Sequence, residues 1–553
     1  MNERIGIGLA SWGLAALLVA GVGLAQPSAL PRFAAQPGKL TVNLTIKLLR
    51  DGYPISDAIY CGAELTAQQR RDYALPLQRW GGNRSSRYNW KINCDAAGHD
   101  WYFLNGGEPV NDPAQSGWIK AARESQRLNA SLYLTVPMLG WVAKDATSYS
   151  FSVKKYGPQQ GHEPGKPDVG NGRRPDGKPI TGNDPTDTSV PAPPEFIAEG
   201  VKATVAAVGS AAKGGVRYWV LDNEPMLWHL THRDVFPQPL GYDEFLQRTV
   251  RYAQAIRQAD PTAQIAGYCS WGWMDLFYSA KDQGDDNYQR KPDYHAHGQV
   301  PLAEWFLQQC AQYRLKHGRA PIDVFDIHWY PQAQAQGQNV YTGRGMALAL
   351  NELRLRSTRD LWDRTYRQES WISDVTAEPV ALIPRVRGWI AKHCPGLRLA
   401  LGEYNFGGSD NITGALAQAE LFGIFAQEKL DLAFIWTRPE GTQELAWKLF
   451  RNYDGRGGRF GDRFLGSAIS DQHVSVFVAK RSTDAAHTVV LINKNLGRAV
   501  DLSVAVPGLK GRARTWAFDQ DDPQQLRLGQ PVTIEQTIRL TMPPATAMIM
   551  VID

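Results

Sequence analysis

The sequence VRYWVLDNEPMLW, residues 216–228, carries the pattern that decides the fold. Residues 216–221 are mostly apolar, aromatic or β-branched, which indicates a buried strand. The strand is followed at once by Asp222, Asn223, Glu224 and Pro225. A carboxylate at the end of a buried strand either caps a neighbouring helix or carries chemistry, and catalytic carboxylates often work in pairs.

Seven further apolar runs of this kind occur along the chain, and stretches with helical periodicity separate them. The runs begin at Ala58, Leu77, Leu132, Gln264, Ile322, Leu397 and Leu432. Continuous apolar strands that alternate with helices indicate a parallel sheet covered on both faces. The sequence therefore predicts an α/β fold, with a (β/α)8 TIM-like barrel of eight such units over residues 57–440.

The C-terminal part of the chain shows a different pattern. From Val474 onward, short alternating strands are separated by turn residues, which predicts a β-sandwich over residues 441–553. Residues 41–49, TVNLTIKLL, alternate in the same way and precede the first barrel strand. We therefore expect the segment 39–56 to add an N-terminal strand to the sandwich.

The N-terminus predicts export. Arg4 precedes an uncharged run over residues 5–25, which ends in small residues suited to cleavage near Ala25. Residues 1–25 are therefore interpreted as a signal peptide of a secreted or periplasmic protein. The run is also long enough for an uncleaved membrane anchor, and this alternative stays open. Residues 26–38, rich in Pro and Ala, are interpreted as a linker.

Composition excludes several other classes of protein. The net charge is only +5 and no long block of Lys or Arg occurs, so no nucleic-acid partner is expected. Five widely spaced cysteines form no CxxC motif, which argues against a zinc site and leaves one or two disulfides open. No membrane partner beyond the N-terminal anchor is expected, and the protein is expected to be a monomer.

Two glutamates stand out among the ends of the predicted strands. Glu224 follows the fourth strand and Glu403, in the sequence GEYN, follows the seventh. Active sites of such barrels lie at the carboxyl ends of the strands, so both side chains can face one cleft. Facing carboxylates are what cleavage of a glycosidic bond requires, with Glu224 as the acid/base and Glu403 as the nucleophile. Helix capping or pairing with Arg is the alternative role for each.

Other strand ends supply candidate substrate-binding residues. These are Asn223, Arg79, Trp80, Asn83, Trp271, Trp273, His328, Tyr330 and Trp436. Indole rings can stack on the apolar faces of sugars, although each Trp can also belong to the core. Asn223 can bond to a sugar hydroxyl and Tyr330 to the nucleophile, and a supporting role behind the site is the alternative for His328.

Six motifs in this order resemble glycoside hydrolase family 44. They are RWGGNRSSRYNW (79–90), KYGPQQ (155–160), LDNEP (221–225), DIHWYP (326–331), GEYN (402–405) and FRNYDGRGGRFGD (450–462). The resemblance spans residues 40–553 and implies a retaining endo-β-1,4-glucanase or xyloglucanase that acts on a β-1,4-glucan polysaccharide. It implies the same roles for Glu224 and Glu403, and catalysis that requires no cofactor.

The resemblance also implies a structural calcium ion near the long loop after the third strand. Oxygen ligands from Asp184, Asp187 and Glu64 would suit Ca²⁺. A turn rich in acids that binds no metal is the alternative for this segment.

Other functions remain open at the level of sequence. One is a non-catalytic β-glucan-binding protein that has kept the cleft. A second is hydrolysis of mannan or mixed-linkage glucan. A third is a metal-dependent hydrolase that uses Asp293, His295 and His297, although these lie in a polar loop typical of solvated residues.

Overall fold

The computed structural model describes residues 31–284, 286–470 and 473–553. The predicted leader at 1–25 and the first part of the predicted linker lie outside the described residues. Within the described part, no helix is long and apolar enough to cross a membrane.

Eight parallel strands of the described chain form a barrel. The strands are Cys61–Gly62, Leu77–Trp80, Ser131–Val136, Tyr218–Leu221, Gln264–Ser270, Val324–Trp329, Arg398–Tyr404 and Leu432–Ile435. Each pairs with its neighbours in chain order, the eighth pairs with the first, and a bridge between Ala63 and Arg79 joins the first to the second. The predicted eight-stranded barrel is confirmed.

Helices follow the barrel strands and cover the outside of the sheet. The longest helix after each strand, in order, is Ala67–Asp72, Gly117–Arg127, Pro194–Val208, Tyr242–Ala259, Leu302–His317, Leu382–His393, Ile412–Gln427 and Glu444–Arg451. Every residue of the fourth strand, Tyr218–Leu221, is buried. A parallel strand that is covered on one side by helices and on the other by the barrel interior can be apolar at every position.

Short helices and hairpins occupy the connections. The helices are Val153–Tyr156, Trp228–Thr231, Ala280–Gln283, Pro292–Ala296, Leu348–Ser357 and Ile372–Val375. The paired short strands are Cys94–Ala96 with Asn105–Gly107, Trp141–Ala143 with Ser189–Pro191, His162–Glu163 with Lys166–Gly170, and Gln334–Ala335 with Gln338–Asn339. The long connection after the third strand is therefore folded into local hairpins.

The second unit is a β-sandwich. Its described strands are Lys39–Thr45, Tyr53–Pro54, Arg463–Ser470, Val474–Lys480, His487–Asn493, Ala499–Asp519, Asp522–Leu528, Val532–Met542 and Thr546–Ile552. Lys39–Thr45 runs parallel to the first half of Ala499–Asp519, so the expected N-terminal strand does complete the sandwich. The second half of that long strand pairs with Thr546–Ile552.

The predicted boundary between the two units, at residues 440 and 441, needs correction. It assigns the helix Glu444–Arg451 to the sandwich, although this helix follows the eighth barrel strand and completes the helical cover. Its side chains Leu445, Trp447 and Phe450 are buried in the core shared by the two units, and the Trp447 indole donates to the carbonyl of Tyr60 beside the first barrel strand at 2.7 Å. The first sandwich strand after the barrel begins only at Arg463.

The helix Ile412–Gln427 lies between the barrel and the sandwich and is buried on all sides. Residues 412–426 are each buried. Gln418 donates to the Tyr404 hydroxyl of the barrel at 2.9 Å, while Gly423 faces the Phe477 ring of the sandwich. A Cβ at Gly423 would collide with that ring, so the close approach of the two units requires glycine.

A buried ion pair joins this helix to the sandwich. Lys494 Nζ lies 2.5 Å from Glu420 Oε1, and both side chains are about 1% exposed. The Glu420 carboxylate also accepts hydrogen bonds from Ser475 (2.6 Å) and Thr358 (2.9 Å). Because its charge is enclosed and fully bonded, the pair fixes how the units pack.

Substitution of Lys494 by methionine is expected to lower the free energy of unfolding by about 3–5 kcal/mol, because the Glu420 carboxylate would stay buried without its counter-ion. Urea unfolding followed by tryptophan fluorescence measures the change. Lys39→Met is the matched control, since its ion pair with Asp501 is about half exposed, and a change of about 0–1 kcal/mol is expected. Equal effects of the two substitutions would contradict the view that burial makes the Lys494–Glu420 pair important for stability.

All five cysteines lie in the described part, are buried and carry free thiols. The disulfides that the sequence left open are therefore not formed in this structure. Burial raises the pKa of the Cys61 thiol to about 12, so it stays protonated and unreactive.

Candidate active site

The two predicted glutamates meet at the mouth of the barrel. Glu224 follows the fourth strand and Glu403 is the last residue but one of the seventh. A carboxylate oxygen of Glu224, one of Glu403 and a ring nitrogen of His328 all lie within 4.8 Å of one another. Two carboxylates at this separation can contact the same sugar ring from opposite sides of its anomeric carbon.

The backbone turns sharply at Glu224. Asp222 (φ 67°) and Glu224 (φ 46°) both adopt the left-handed conformation, which is unfavourable for residues with a Cβ. Buried Asp222 holds the turn, because its carboxylate accepts the amide protons of Met138 and Leu139 and the Trp228 indole proton at 3.2 Å. This strained turn directs Glu224 into the mouth of the barrel.

Glu403 is held on both oxygens. Arg79 donates to Oε1 at 2.6 Å, and the Tyr330 hydroxyl donates to Oε2 at 2.9 Å. Arg79 is 2% exposed and Glu403 is 5% exposed. A carboxylate with both oxygens bonded in a buried site has a fixed orientation, which a nucleophile requires.

His328 lies between the two carboxylates. Its Nδ1 is 2.9 Å from Glu224 Oε1 and 3.7 Å from Glu403 Oε2. The ring is 1% exposed. His328 therefore orients the two carboxylates, which fits the supporting role that the sequence left open beside substrate binding.

The surroundings shift the pKa values of the two glutamates in opposite directions. Burial raises the pKa of Glu224, and the negative charge of Glu403 adds to this, although the bond to His328 opposes it. Burial alone would raise the pKa of Glu403 too, but Arg79 and His328 lower it below its ordinary value. Glu224 therefore favours the protonated form and Glu403 the ionised form, as a general acid and a nucleophile require.

A chain of polar side chains extends from Glu403 across the mouth. Arg79 Nη2 donates to Asn223 Oδ1 at 2.9 Å, and Asn223 Nδ2 donates to Asn83 Oδ1 at 2.9 Å. Asn83 Nδ2 then donates to Asp100 Oδ2 at 2.9 Å. The structure thus brings together three residues predicted from strand ends and adds Asp100.

Trp436 flanks this chain. The Arg79 guanidinium carbon lies 5.1 Å from the centre of the Trp436 ring. A Cβ at Gly82 would meet that same ring, so only glycine lets the ring lie there. Trp436 is partly exposed beside the nucleophile, a position that suits a stacking surface for a sugar.

Trp271 is also partly exposed at the mouth. Its backbone N–H donates to buried Asp275 at 2.9 Å. Burial raises the pKa of Asp275 well above its ordinary value, and the nearby charge of Glu224 adds to the shift. Trp271 therefore sits on the Glu224 side of the cleft, and its contact with substrate stays a prediction.

Two of the predicted substrate-binding tryptophans pack against other aromatic rings. Trp80 follows Arg79 on the same strand, so its side chain points to the other face and packs edge-on against Tyr88 and Trp118. Trp273 is 4% exposed and packs against Phe277 and Trp329. Trp273 therefore fits the core role that the sequence left open, whereas Trp80 is partly exposed and its contact with substrate stays a prediction.

The three residues predicted as calcium ligands make other contacts in this structure, and the calcium ion stays a prediction. Asp184, Asp187 and Glu64 are not gathered among the acid and histidine clusters of the described residues. The Asp187 carboxylate instead lies 2.5 Å from Lys155 Nζ and 2.5 Å from the Tyr156 hydroxyl. Asp184 caps a turn by accepting the Thr186 N–H at 2.9 Å. The alternative of an acidic turn without metal fits these contacts.

The three residues of the metal-hydrolase alternative are likewise not arranged as metal ligands. Asp293 accepts the Tyr242 N–H at 2.9 Å and so caps the helix Tyr242–Ala259. The His297 ring stacks on Tyr242 at 4.4 Å, and His295 lies exposed on a short helix. These contacts anchor the loop that packs on the helix.

Glu224, His328 and Glu403 are the one described cluster spaced like a metal site. The residues around it do not suit a cation, because the Arg79 guanidinium already compensates the charge of Glu403. The donor set fits proton transfer and nucleophilic attack better.

Three acids of the site were not predicted from the sequence as site residues. Asp326, in the middle of the sixth strand, accepts the Tyr133 hydroxyl at 2.7 Å and lies under Gly402, where a Cβ would collide with it. Asp222 stands at the end of the fourth strand, but no role was expected for it. An acid inside an apolar strand is a visible signal for Asp326, whereas Asp100 lies in a loop that shows none.

A barrel whose mouth holds two glutamates with opposite pKa shifts, flanked by a partly exposed indole, defines a glycoside hydrolase. The family model for glycoside hydrolase family 44 matches residues 94–333. The chain is also 30% identical over 495 residues to Endoglucanase A of Paenibacillus lautus, which covers 85% of this chain and 67% of the relative. The chain belongs to glycoside hydrolase family 44.

A second curated relative is Beta-mannanase/endoglucanase A of Caldicellulosiruptor saccharolyticus. It is 28% identical over 540 residues, which cover 90% of this chain. The chain spans only 38% of the length of that relative.

Solved structures share the fold over more than nine tenths of this chain. CelM2, a bifunctional glucanase-xylanase protein from a metagenome library, is 35% identical with a TM-score of 0.87, covering 94% of this chain and 99% of that chain. A Paenibacillus polymyxa xyloglucanase from the same family, solved with xyloglucan, is 25% identical with a TM-score of 0.76. This second alignment covers 92% of this chain and 99% of the xyloglucanase.

Proposed function

We propose that this glycoside hydrolase cleaves internal bonds of β-1,4-linked glucans of the cellulose or xyloglucan type. We also propose that the reaction retains the anomeric configuration. The proposal rests on one observation, the approach of Glu224 and Glu403 oxygens to within 4.8 Å. Retaining glycosidases hold their two carboxylates about 5–5.5 Å apart, whereas inverting enzymes leave about 6.5–9.5 Å for a water molecule.

In the first step, Glu403 attacks the anomeric carbon. A covalent glycosyl ester forms while the bond to the leaving sugar breaks, and Glu224 gives its proton to the departing oxygen. Arg79 and Tyr330 orient the Glu403 carboxylate for this attack. The raised pKa of Glu224 keeps the proton available near neutral pH.

In the second step, water attacks the same carbon and releases Glu403. Glu224, now ionised, takes a proton from that water, so one residue acts as acid and then as base. Asn223 uses its carbonyl oxygen and one amide hydrogen in the protein network, which leaves its second amide hydrogen for a sugar hydroxyl. Such a bond would strengthen as charge develops on the ring.

The polymer class is supported by the relatives. Their names specify endoglucanase, glucanase-xylanase, xyloglucanase and mannanase activities. A β-1,4-linked backbone is common to the polymers in these names. The partly exposed rings of Trp436 and Trp271, on the Glu403 and Glu224 sides, would accept successive sugars of one extended chain.

The wild-type enzyme is expected to release products of retained β configuration from an internal bond. Proton NMR of the first products from a cello-oligosaccharide distinguishes the anomers before mutarotation, and viscosity loss relative to reducing ends reports internal cleavage. Activity should survive EDTA, since the proposed mechanism uses no cation. An α-anomer as first product would contradict the double-displacement mechanism.

The same assay on a panel of polymers identifies the substrate. Carboxymethylcellulose and xyloglucan are expected to give the highest kcat/KM, with mixed-linkage glucan, mannan and xylan as comparisons. A preference for mannan or mixed-linkage glucan would favour the alternative specificity. Binding of all polymers without any product would favour a glucan-binding role for this chain.

We also propose that the protein is exported, since its polymeric substrates are extracellular. This proposal rests on residues 1–25 of the sequence. Mass spectrometry of the mature N-terminus would distinguish cleavage near Ala25 from a retained anchor.

A further inference from the structure

A cavity of about 430 Å³ opens at the end of the barrel opposite Glu224 and Glu403. It is formed where the fourth to seventh strands begin. Four of its lining residues are arginines: Arg217, Arg314, Arg319 and Arg398. A cavity of this size can hold a small molecule.

The positive charge of this cavity is only partly compensated. Asp323 is the acid in its lining, and Arg319 binds it through both oxygens at 3.0 and 2.8 Å. Asp323 also accepts a bond from Arg257 at 3.0 Å. Among the ion pairs of the described residues, no carboxylate partner is found for Arg217, Arg314 or Arg398. Three positive charges therefore face the cavity in excess.

These guanidinium groups are held in place by neutral partners. Arg398 donates to the Tyr218 hydroxyl (2.5 Å) and to Gln264 (2.8 Å), and Arg314 donates to the carbonyl of Pro395 (2.7 Å). The guanidinium carbons of Arg217 and Arg398 lie 5.3 and 5.0 Å from the centre of the same Tyr218 ring. Two positive charges thus lie near one ring, and an anion bound by both would relieve their repulsion.

Helix capping accounts for only part of this arrangement. A positive side chain near the end of a helix interacts favourably with the last carbonyl groups, which explains Arg314 in the last turn of Leu302–His317. Arg217 and Arg398 stand at the start of barrel strands, where there is no such requirement.

We propose that this cavity binds a small ligand through its oxyanion groups, either phosphate or sugar carboxylate. Guanidinium groups bind both anions through paired, charge-assisted hydrogen bonds, and each arginine here keeps N–H groups beyond those bonded to the protein. The site would bind its ligand at the face of the barrel remote from catalysis. It does not depend on which polysaccharide the enzyme cleaves.

Isothermal titration of the full chain with inorganic phosphate and, separately, with digalacturonate tests the proposal at ionic strength held constant with NaCl. Saturable binding at one site is expected from at least one probe. The double variant Arg217→Gln/Arg314→Gln is expected to bind about 100-fold more weakly, at about tenfold for each guanidinium group removed. Binding of phosphate would indicate a phosphate source, whereas binding of digalacturonate alone would indicate an acidic polysaccharide.

Arg512→Gln/Arg539→Gln is the matched control, because both side chains are exposed on the sandwich. It should bind as the wild type does, and both double variants should keep the circular dichroism spectrum and the glucanase rate. If the first variant does not fold, Arg217→Gln alone is used, since that side chain is exposed. Absence of saturable binding to both probes, or equal binding by wild type and variant, would overturn the proposal.

Discussion

Replacement of Glu403 by glutamine is expected to lower kcat/KM by about 10⁴–10⁶-fold, the scale of loss when an enzyme's nucleophile is removed. The amide keeps the shape of the side chain but cannot attack the anomeric carbon. The loss should be similar for polysaccharide and for an aryl cellobioside with a good leaving group, because a better leaving group does not replace a nucleophile. Initial rates on both substrates measure the effect.

Replacement of Glu403 by a smaller residue tests its role as nucleophile more directly. In Glu403→Gly, azide added to the aryl cellobioside is expected to attack from the face that Glu403 occupied and to give the α-glycosyl azide. One displacement inverts the configuration, and the aryl oxide leaves with its electron pair. Formation of the β-azide instead would mean two displacements with an intact nucleophile, and would assign Glu403 as the acid/base.

Asp360→Asn is the matched control for an acid-to-amide change in the barrel. Burial raises the pKa of Asp360 to about 8, so its carboxyl group is already mostly neutral at pH 7 and the amide is a close substitute. Its carboxyl accepts a bond from Gln368 at 2.8 Å, away from the cleft. Full activity is expected from Asp360→Asn. A loss comparable to that of Glu403→Gln would mean that such substitutions lower activity by disturbing the fold, and not by removing the nucleophile.

The fold was predictable because each strand and helix shows its own pattern of apolar residues in a short stretch of sequence. The eight barrel strands are continuous apolar runs, and their order along the chain is also their order around the barrel. The boundary at residue 441 failed because the helix Glu444–Arg451 is only eight residues long and directly precedes strands. A short amphipathic helix gives a weak pattern beside the strong alternation that follows it.

The catalytic pair was predictable for a topological reason. The barrel places the carboxyl ends of all strands at one mouth, so residues as distant in sequence as Glu224 and Glu403 must converge there. The direction of the Trp80 side chain was also predictable from the sequence. Successive side chains of a strand point to opposite faces, so a strand that directs Arg79 inward must direct Trp80 outward.

The remaining contacts of the site depend on loops. Asp100 reaches Asn83 from a short helical turn at Gly98–Trp101, and nothing in that stretch specifies where it packs. The contacts of Asp187 are another example, since it bonds to Lys155 and Tyr156 within the same long loop, while binding of calcium there stays a prediction. The positions of acidic residues in the sequence do not determine which of several nearby groups a carboxylate in a loop will bond to.

Replacement of Glu224 by glutamine is expected to lower kcat/KM on polysaccharide by about 10²–10⁴-fold, the usual contribution of a general acid. On an aryl cellobioside with a good leaving group the loss should be small, because that oxygen departs without a proton. This dependence on the leaving group separates Glu224 from Glu403, whose loss affects both substrates alike. The ratio of the two rates in each variant is therefore the decisive measurement.

The pH profile gives an independent result for the same variant. In the wild type, activity should fall at low pH as Glu403, whose pKa is lowered, becomes protonated. It should fall at high pH as Glu224, whose pKa is raised, loses its proton. Glu224→Gln should keep the acidic limb of kcat/KM on the aryl substrate and lose the alkaline limb. Asp275→Asn, a change of a buried neighbour whose pKa is raised by burial, should keep both limbs. An alkaline limb that persists without Glu224 would assign the proton to His328, which lies 2.9 Å from Glu224 Oε1.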